Sequence, residues 1–369
     1  MTSGDVESTQ RSRVVLVRGT GLIGTSIGLG LSAAGWTVHL TDPDSRSLAQ
    51  AAGLGAGSTT APDPDDVELV VVCAPPDATA TVIAESLDVF SKAAVTDVAS
   101  LKSSIFDQVH EHAHARRYIG GHPLAGRETS GPGGARSDLF EGRPWVLTPL
   151  LVDENRIDQT ALETVRAMVS ALAATIVEMD PLAHDEAVAA VSHVPQVMAS
   201  LTAARLNGLD ATSLSLSGQG IRDVTRIAAS DAQMWSQIIG GNAEAVVSVL
   251  DGVAADLAAL RASLTTDASQ ASAAVQALVE RGNQGRSLIP GKHGATAQRY
   301  AMVPVVIPDQ PGALARLFDV VGGLGVSIED LALEHSPGQP VGLATLSVVP
   351  AASAELMDGL EAGGWVVHR

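Results

Sequence analysis

Along residues 14–98 the apolar positions switch between two periods. Short runs of aliphatic and β-branched residues, "VVLV" (14–17), "TVHLT" (37–41), "LVVVCA" (69–74) and "AAVTDV" (93–98), alternate with stretches at helical spacing that begin near Leu22, Asp44 and Asp77. Runs that are apolar at nearly every position predict strands buried on both faces, and the helices between them supply crossovers. The pattern therefore predicts an α/β fold, a parallel sheet wound on both sides. "YIG", "PWVLT" (144–148) and "TIVEM" (175–179) extend the sheet, the last two flanking a helix over 154–172.

From Pro181 to about Glu280 the texture changes. Ala, Leu, Val and Met recur at helical spacing and no long β-rich run appears, which predicts an all-helical second domain over 181–285. The stretch 281–299 is rich in Gly, polar and basic residues and reads as a connector, with the linker proper at 286–300. Residues 301–369 then read strand, helix, strand, strand, helix, strand, a small βαββαβ module. The first domain spans 13–180, behind a polar lead-in, 1–12, that has the composition of a disordered tail and lacks the apolar region of a signal peptide.

Composition narrows the partners. A formal net charge of −18 repels nucleic acid and acidic membrane surfaces, so neither is expected as a partner, and a small anionic ligand needs a local arginine anchor. The uncharged stretch Ala187–Ala204, near spanning length, holds His193, Pro195 and Gln196 and fits a buried helix better than a membrane span. The one cysteine, Cys73, can form no intrachain disulfide, in keeping with a reducing cytoplasm.

Chemistry enters with "VVLVRGTGLIGTSIG". Gly19, Gly21 and Gly24 form G-x-G-x-x-G between a strand and a helix, and Leu22 and Ile23 open that helix. Such glycines permit a tight turn, close approach to a pyrophosphate and close helix–strand packing, so the first domain is predicted to be Rossmann-like. Asp42 closes the second strand about twenty residues on, where a carboxylate can bind both ribose hydroxyls of NAD and repel the 2′-phosphate of NADP. Arg18 and Arg46 keep NADP in play.

"RYIGGHPLAGRETSG" (117–131) sets His122 between a glycine pair and a proline, on what reads as a loop opened by Gly120, Gly121 and Gly126. It stands just past one strand end, and Ser100 in "TDVASLKSS" stands past another, where doubly wound sheets bind ligands. Neutral imidazole suits proton removal from an alcohol near pH 7, with Ser100 orienting the ring or the substrate hydroxyl. No metal site is expected; "HEHAH" (110–114) reads as a helix end.

"GTGLIGTS", "TDVASLKSS", "GGHPLAGRETSG", "AVSHVPQ" and "GIRDVTRIAASDAQMW" together resemble the prephenate/arogenate dehydrogenase family of tyrosine biosynthesis, over residues 13 to about 265. The resemblance implies NAD-dependent oxidative decarboxylation of prephenate to 4-hydroxyphenylpyruvate, or the arogenate reaction giving tyrosine directly. It implies His122 as the catalytic histidine with Ser100 beside it, and His193 and Arg226 as substrate contacts from the helical domain. It also places Glu128 near the pocket rim, and it implies a homodimer. Arg222 is a further candidate for the substrate, and Asp223 for holding Arg226. Gln196 and Arg127 depart from the family's usual histidine and threonine, which opens the choice between prephenate and arogenate.

"PDQPGALARLFDVV" resembles ACT domains, βαββαβ modules that often bind amino acids. Asp309, Pro311, Gly312 and Leu314 are the candidate effector residues, and the implied effector is an aromatic amino acid. Two rivals are weighed. β-Hydroxyacid dehydrogenases resemble one another in a catalytic lysine on the helical domain, and 181–285 contains no lysine. An amino-acid sensor with a relic dinucleotide fold would not need Asp42, His122 and Arg226 together with an intact glycine motif.

Overall fold

The aliphatic runs of the first half pair side by side. In the computed structural model, which describes residues 12–125, 131–149, 157–290, 300–335 and 340–368, β1 (Val14–Arg18), β2 (Thr37–Thr41), β3 (Leu69–Val72), β4 (Ala94–Asp97), β5 (Tyr118–Pro123), β6 (Pro144–Thr148) and β7 (Thr175–Glu178) form one sheet. Its order is β2-β1-β3-β4-β5-β6-β7. The first five strands are mutually parallel, so the loops that follow β1, β4 and β5 open along one edge, and the order reverses between β1 and β3.

Successive residues of β1 and β3 feed opposite cores. Val15, Val17, Leu69 and Val71 pack with Ile27 and Leu31 of α1 (Leu22–Ala33) and with Val165 and Met168 of α5 (Gln159–Ala171). Leu16, Val70 and Val72 face the other way, onto Ile83 and Leu87 of α3 (Pro76–Val89) and Ile105 of α4 (Ser103–Val109). Burial on both faces is why these strands read as unbroken apolar runs. Asp44 caps α2 (Ser45–Gly53) through the Arg46 and Ser47 amides, and Asp158 caps α5 in the same way.

One strand runs against expectation. β6 is antiparallel to β5, with Gly120 opposite Thr148 and His122 opposite Val146. The chain between them contains no crossover helix among its described residues, and without a crossover the returning strand lies antiparallel.

The helical region follows as α6 (Pro181–Val188), a π turn at Ala189–His193, α7 (Val194–Ala204), α8 (Ala211–Leu214), α9 (Gln219–Thr225), α10 (Ala232–Gly241), α11 (Ala243–Leu264) and α12 (Ala268–Ser287). α12 runs on through 281–287, part of the stretch read as a connector. Asp267 caps its start and Arg281 pairs with Asp256 at 2.8 Å. The continuous helical segment Pro181–Ala204 is long and apolar enough to cross a membrane by composition, but it carries buried His184, Asp185 and His193 into a polar network.

The chain divides into two compact units, Met1–Ala254 and Ala255–Arg369. Within the second, β8 (Ala301–Pro308), α13 (Ala313–Gly323), β9 (Asp330–His335), β10 (Val341–Val348), α14 (Ser353–Ala362) and β11 (Val366–Val367) make an antiparallel sheet in the order β11-β8-β10-β9. Val303, Val305, Ala344 and Leu346 meet Leu317 and Val321 of α13 and Leu356 and Leu360 of α14 in a separate core.

Candidate active site

The glycine motif forms a cradle. Gly19 has φ +112°, and a Cβ there would overlap the Cys73 carbonyl at the end of β3; a Cβ on Gly24 would overlap the Gly19 carbonyl oxygen. Those two positions bring strand, turn and helix into close contact. Gly21 is exposed with open space before it, and as N-cap of α1 it has no capping side chain, which leaves the first amides of the helix to a ligand. Leu22 and Ile23, the first residues of α1, are half-buried behind it. Room at Gly21 and free helix N–H groups fit the pyrophosphate of a dinucleotide.

Asp42 pins this loop from the end of β2. Its carboxylate accepts from the Thr20 amide at 2.6 Å, the Thr20 hydroxyl at 2.9 Å and the Asp44 amide at 2.8 Å. Arg18 is turned the other way: its guanidinium donates to the Val82 carbonyl and the Ser86 hydroxyl and pairs with Glu85, all on α3. That commitment removes Arg18 as a partner for a 2′-phosphate. Arg46 is exposed in the first turn of α2.

His122 lies within β5, not on a loop. Gly120 and Gly121 serve close packing there: a Cβ on Gly120 would overlap the Thr148 hydroxyl, and one on Gly121 would crowd the Asp97 carbonyl and Trp145. The parallel pairing of β5 to β4 stops at Ile119, so His122 still stands past that edge. Gly126, Arg127 and Glu128 lie outside the described residues.

Beneath His122 is a buried polar cluster that the sequence reading missed. The Lys102 ammonium, 1% exposed, pairs with the fully buried Asp97 carboxylate and donates to the Gly121 carbonyl at 2.8 Å. Asp97 also accepts from the Tyr118 hydroxyl at 2.8 Å and the Gly121 amide at 3.1 Å. Burial lowers the Lys102 pKa against the opposing pull of Asp97 and Asp185. The cluster clamps the β4–α4 loop to β5 one residue before His122.

His122 Nδ1 lies 2.9 Å from His184 Nε2, and His184 Nδ1 lies 2.7 Å from an Asp185 carboxylate oxygen. Asp185 further accepts from the Lys102 and Ser103 amides at 3.0 and 2.8 Å. The imidazole is thus held by His184, one of the two tasks expected of Ser100, the other being to orient the substrate hydroxyl. Ser100 is half-buried on the loop after β4 and makes no hydrogen bond to His122 among the described residues. Burial pushes the His122 pKa well below the ordinary histidine value, and the neighbouring His184, Lys102 and His193 add to the effect against Asp185. Burial alone would raise the Asp185 carboxyl; the bonds from His184, Ser103 and Lys102 outweigh it and hold the group low.

His193 and Gln196, from the π turn and α7, are both buried. His193 Nδ1 faces the Asn242 amide nitrogen at 3.1 Å, and its ring meets Trp235 edge-on with centroids 6.1 Å apart. Gln196 donates to Ser200. Arg222 and Arg226 are exposed on α9 and the turn after it, and no hydrogen bond joins either to the histidines among the described residues. Asp223 accepts from Gln219 at 2.7 Å and does not hold Arg226. In the second unit, Asp309, Pro311 and Gly312 are exposed on the β8–α13 loop, where Gly312 has φ +81°, and Leu314 packs against that unit's core. No group of three or more metal-binding side chains occurs among the described residues.

A dinucleotide cradle and a half-buried neutral histidine on the same edge of a doubly wound sheet define a dinucleotide-dependent dehydrogenase. Residues 27–178 match the nucleotide-binding domain of prephenate dehydrogenase and residues 180–279 match its dimerization domain. The Streptomyces niveus protein named probable prephenate dehydrogenase NovF is 36% identical over 96% of this chain and 99% of its own length. A cyclohexadienyl dehydrogenase of Zymomonas mobilis is 29% identical over 68% of this chain and 88% of its own. The crystal structure of Aquifex aeolicus prephenate dehydrogenase with hydroxyphenyl propionate and NAD+ has a TM-score of 0.64 and 26% identity, covering 75% of this chain and 99% of that one. The chain belongs to the prephenate dehydrogenase family, and is an oxidoreductase.

Proposed function

We propose that this protein oxidises prephenate with NAD in the cytoplasm, releasing CO2 and 4-hydroxyphenylpyruvate for tyrosine synthesis. The observation that carries the reading is His122, half-buried, held at Nδ1 by His184 and kept neutral by its surroundings, on the same sheet edge as the glycine cradle. Gly19, Gly21, Leu22, Ile23 and Gly24 would hold the pyrophosphate and Asp42 the ribose. Bound NAD supplies the hydride acceptor for C4 of the cyclohexadienol ring.

The chain's own part is proton handling and anchoring. His122 Nε2 takes the hydroxyl proton as the alcohol becomes a ketone. The dienone then loses its ring carboxylate as CO2, the C–C electron pair aromatises the ring, and the phenolate takes the proton back. His193, Gln196 and Ser100 line the substrate's polar edge, and Arg226, with Arg222 and Glu128 at the rim, receives its carboxylates; guanidinium suits that task in so acidic a protein. Exposed Val191, Leu201 and Val224 lie in the segment matching the dimerization domain and support a homodimer. The C-terminal sheet is an ACT-like module whose loop, with Asp309, Pro311, Gly312 and Leu314, would receive an aromatic amino acid.

Assays of the purified protein on prephenate and arogenate, each with NAD and NADP, test the reading. Prephenate with NAD is expected to give the highest kcat/KM. A preference for arogenate would move the activity to direct tyrosine formation, with Gln196 the first residue to examine.

A further inference from the structure

Asp185 reaches two histidines by two routes. Its carboxylate can only accept, so His184 Nδ1 carries the proton of their 2.7 Å bond and, in the neutral ring, His184 Nε2 is an acceptor. His122 Nδ1, 2.9 Å away, must then be the donor, which leaves His122 Nε2 as a bare lone pair. The second route is the Asp185 main-chain carbonyl. It also only accepts, so the Asn242 group 2.7 Å from it is the NH2, and the same NH2 faces His193 Nδ1 at 3.1 Å. His193 Nδ1 must accept, and the proton of that ring sits on Nε2.

The helix geometry makes this convergence feasible. Nine residues of straight α-helix turn through about 900°, which would put His184 and His193 on opposite sides. The π turn at Ala189–His193 interposes an extra residue and swings His193 back toward the His184 face. Asn242 fills the joint between α10 and α11, with its own amide bonded to the Ile239 carbonyl, so its side chain is fixed from outside the helix it contacts. All four side chains are buried or nearly so: His184 is 0% exposed, His193 1%, Asp185 4% and Asn242 7%.

We propose that Asp185, acting through His184 on one side and Asn242 on the other, locks His122 and His193 in opposite neutral tautomers, so that the site offers one imidazole acceptor and one imidazole donor. The proposal rests on the reading of this site as the dehydrogenase centre for the use made of the two rings: the acceptor takes the ring-hydroxyl proton and the donor meets an oxygen of the anionic substrate. His184, Asp185 and Asn242 are positioning residues.

The tautomers are measurable without turnover. In full-length protein labelled with 15N-histidine, long-range 1H–15N spectra at pH 7.5, assigned through His122→Asn and His193→Asn, should show His122 protonated at Nδ1 and His193 at Nε2. Either ring in the other tautomer overturns the proposal. The kinetic arm compares His184→Leu with His184→Gln, whose amide oxygen can still accept from His122. His184→Leu should lower kcat about 10²-fold with NADH affinity, read by tryptophan quenching, within twofold of the native value. His184→Gln should recover at least tenfold of that loss. Equal losses in the two variants, with NADH binding intact, would also overturn it. If the native protein shows the two tautomers but does not oxidise prephenate, the functional reading fails and the tautomer lock stands.

Discussion

A histidine acts as a base only while it is neutral, so the environment of His122 sets the working range of the site. With its pKa held well below about 6.5, chiefly by burial, the ring stays unprotonated through neutral pH. The acidic limb of kcat/KM against pH should therefore fall below 6.5; a midpoint at or above 6.5 would contradict the buried setting. The same depression acts on stability. The unfolded chain takes up this proton near pH 6.5 and the folded chain only at lower pH, so the contribution is fully present above 6.5 and is lost as pH falls through the folded value. His193, also depressed by burial, adds in the same direction. Thermal melts from pH 7.5 to 5 should show Tm falling, and falling less steeply in His122→Asn. That variant should also lose about 10²- to 10⁴-fold in kcat with KM near the native value; retention of more than a tenth of kcat would remove His122 as the base. His122 was visible in the sequence because glycine and proline isolate it. His184 was not, since "PLAHDEAV" reads as about two turns of an amphipathic helix, and only the adjacent His-Asp pair before an apolar run is a signal of a buried network. Lys102 was equally hidden: nothing in "ASLKSS" says that its ammonium turns inward to Asp97.

At the scale of elements, periodicity carried the strands and crossover helices because burial on both faces leaves an unmistakable apolar run. The direction of β6 was not legible, since direction depends on what joins two strands and the joining segment "LAGRETSGPGGARSDLFEGR" has no pattern of its own. The π turn was also invisible: one added residue changes no composition. The β1–α1 loop and the end of β2 were legible because their chemistry is spacing itself, and they carry a prediction about cofactor choice. Asp42 pins Thr20 and is the proposed ribose contact, and Arg18 is committed to α3, which leaves Arg46 as the candidate to attract a 2′-phosphate. Asp42→Ser should lower the ratio of kcat/KM for NAD over NADP by about tenfold or more, mostly through weaker NAD binding as the loop loses its anchor. A native ratio below one would assign the choice to Arg46. The double variant Asp42→Ser with Arg46→Ala would then show whether that arginine carries it.

For the whole molecule, the separate core of the C-terminal sheet bears on regulation. Val303, Val305, Leu317, Leu346 and Leu356 close a core of their own. The family-matched segments end at residue 279, so the sheet lies beyond both. The reading proposed above makes this part, with its own core and an exposed loop leading into α13, a sensing module. A chain ended after Pro290 keeps both family-matched segments and should retain most of its kcat while losing inhibition by an aromatic amino acid, tyrosine first. In the full-length chain, Asp309→Ala, an exposed change that leaves the core of the sheet untouched, should raise the tyrosine concentration needed for half-inhibition about tenfold. The two variants separate the sources of inhibition. Equal inhibition of the native and shortened chains would mean that tyrosine competes at the His122 site as a product analogue, in which case raising prephenate should relieve it. Relief by prephenate in the shortened chain alone would show both sites acting. Absence of inhibition in either chain would make the sheet a structural part and remove Asp309, Pro311, Gly312 and Leu314 as effector residues.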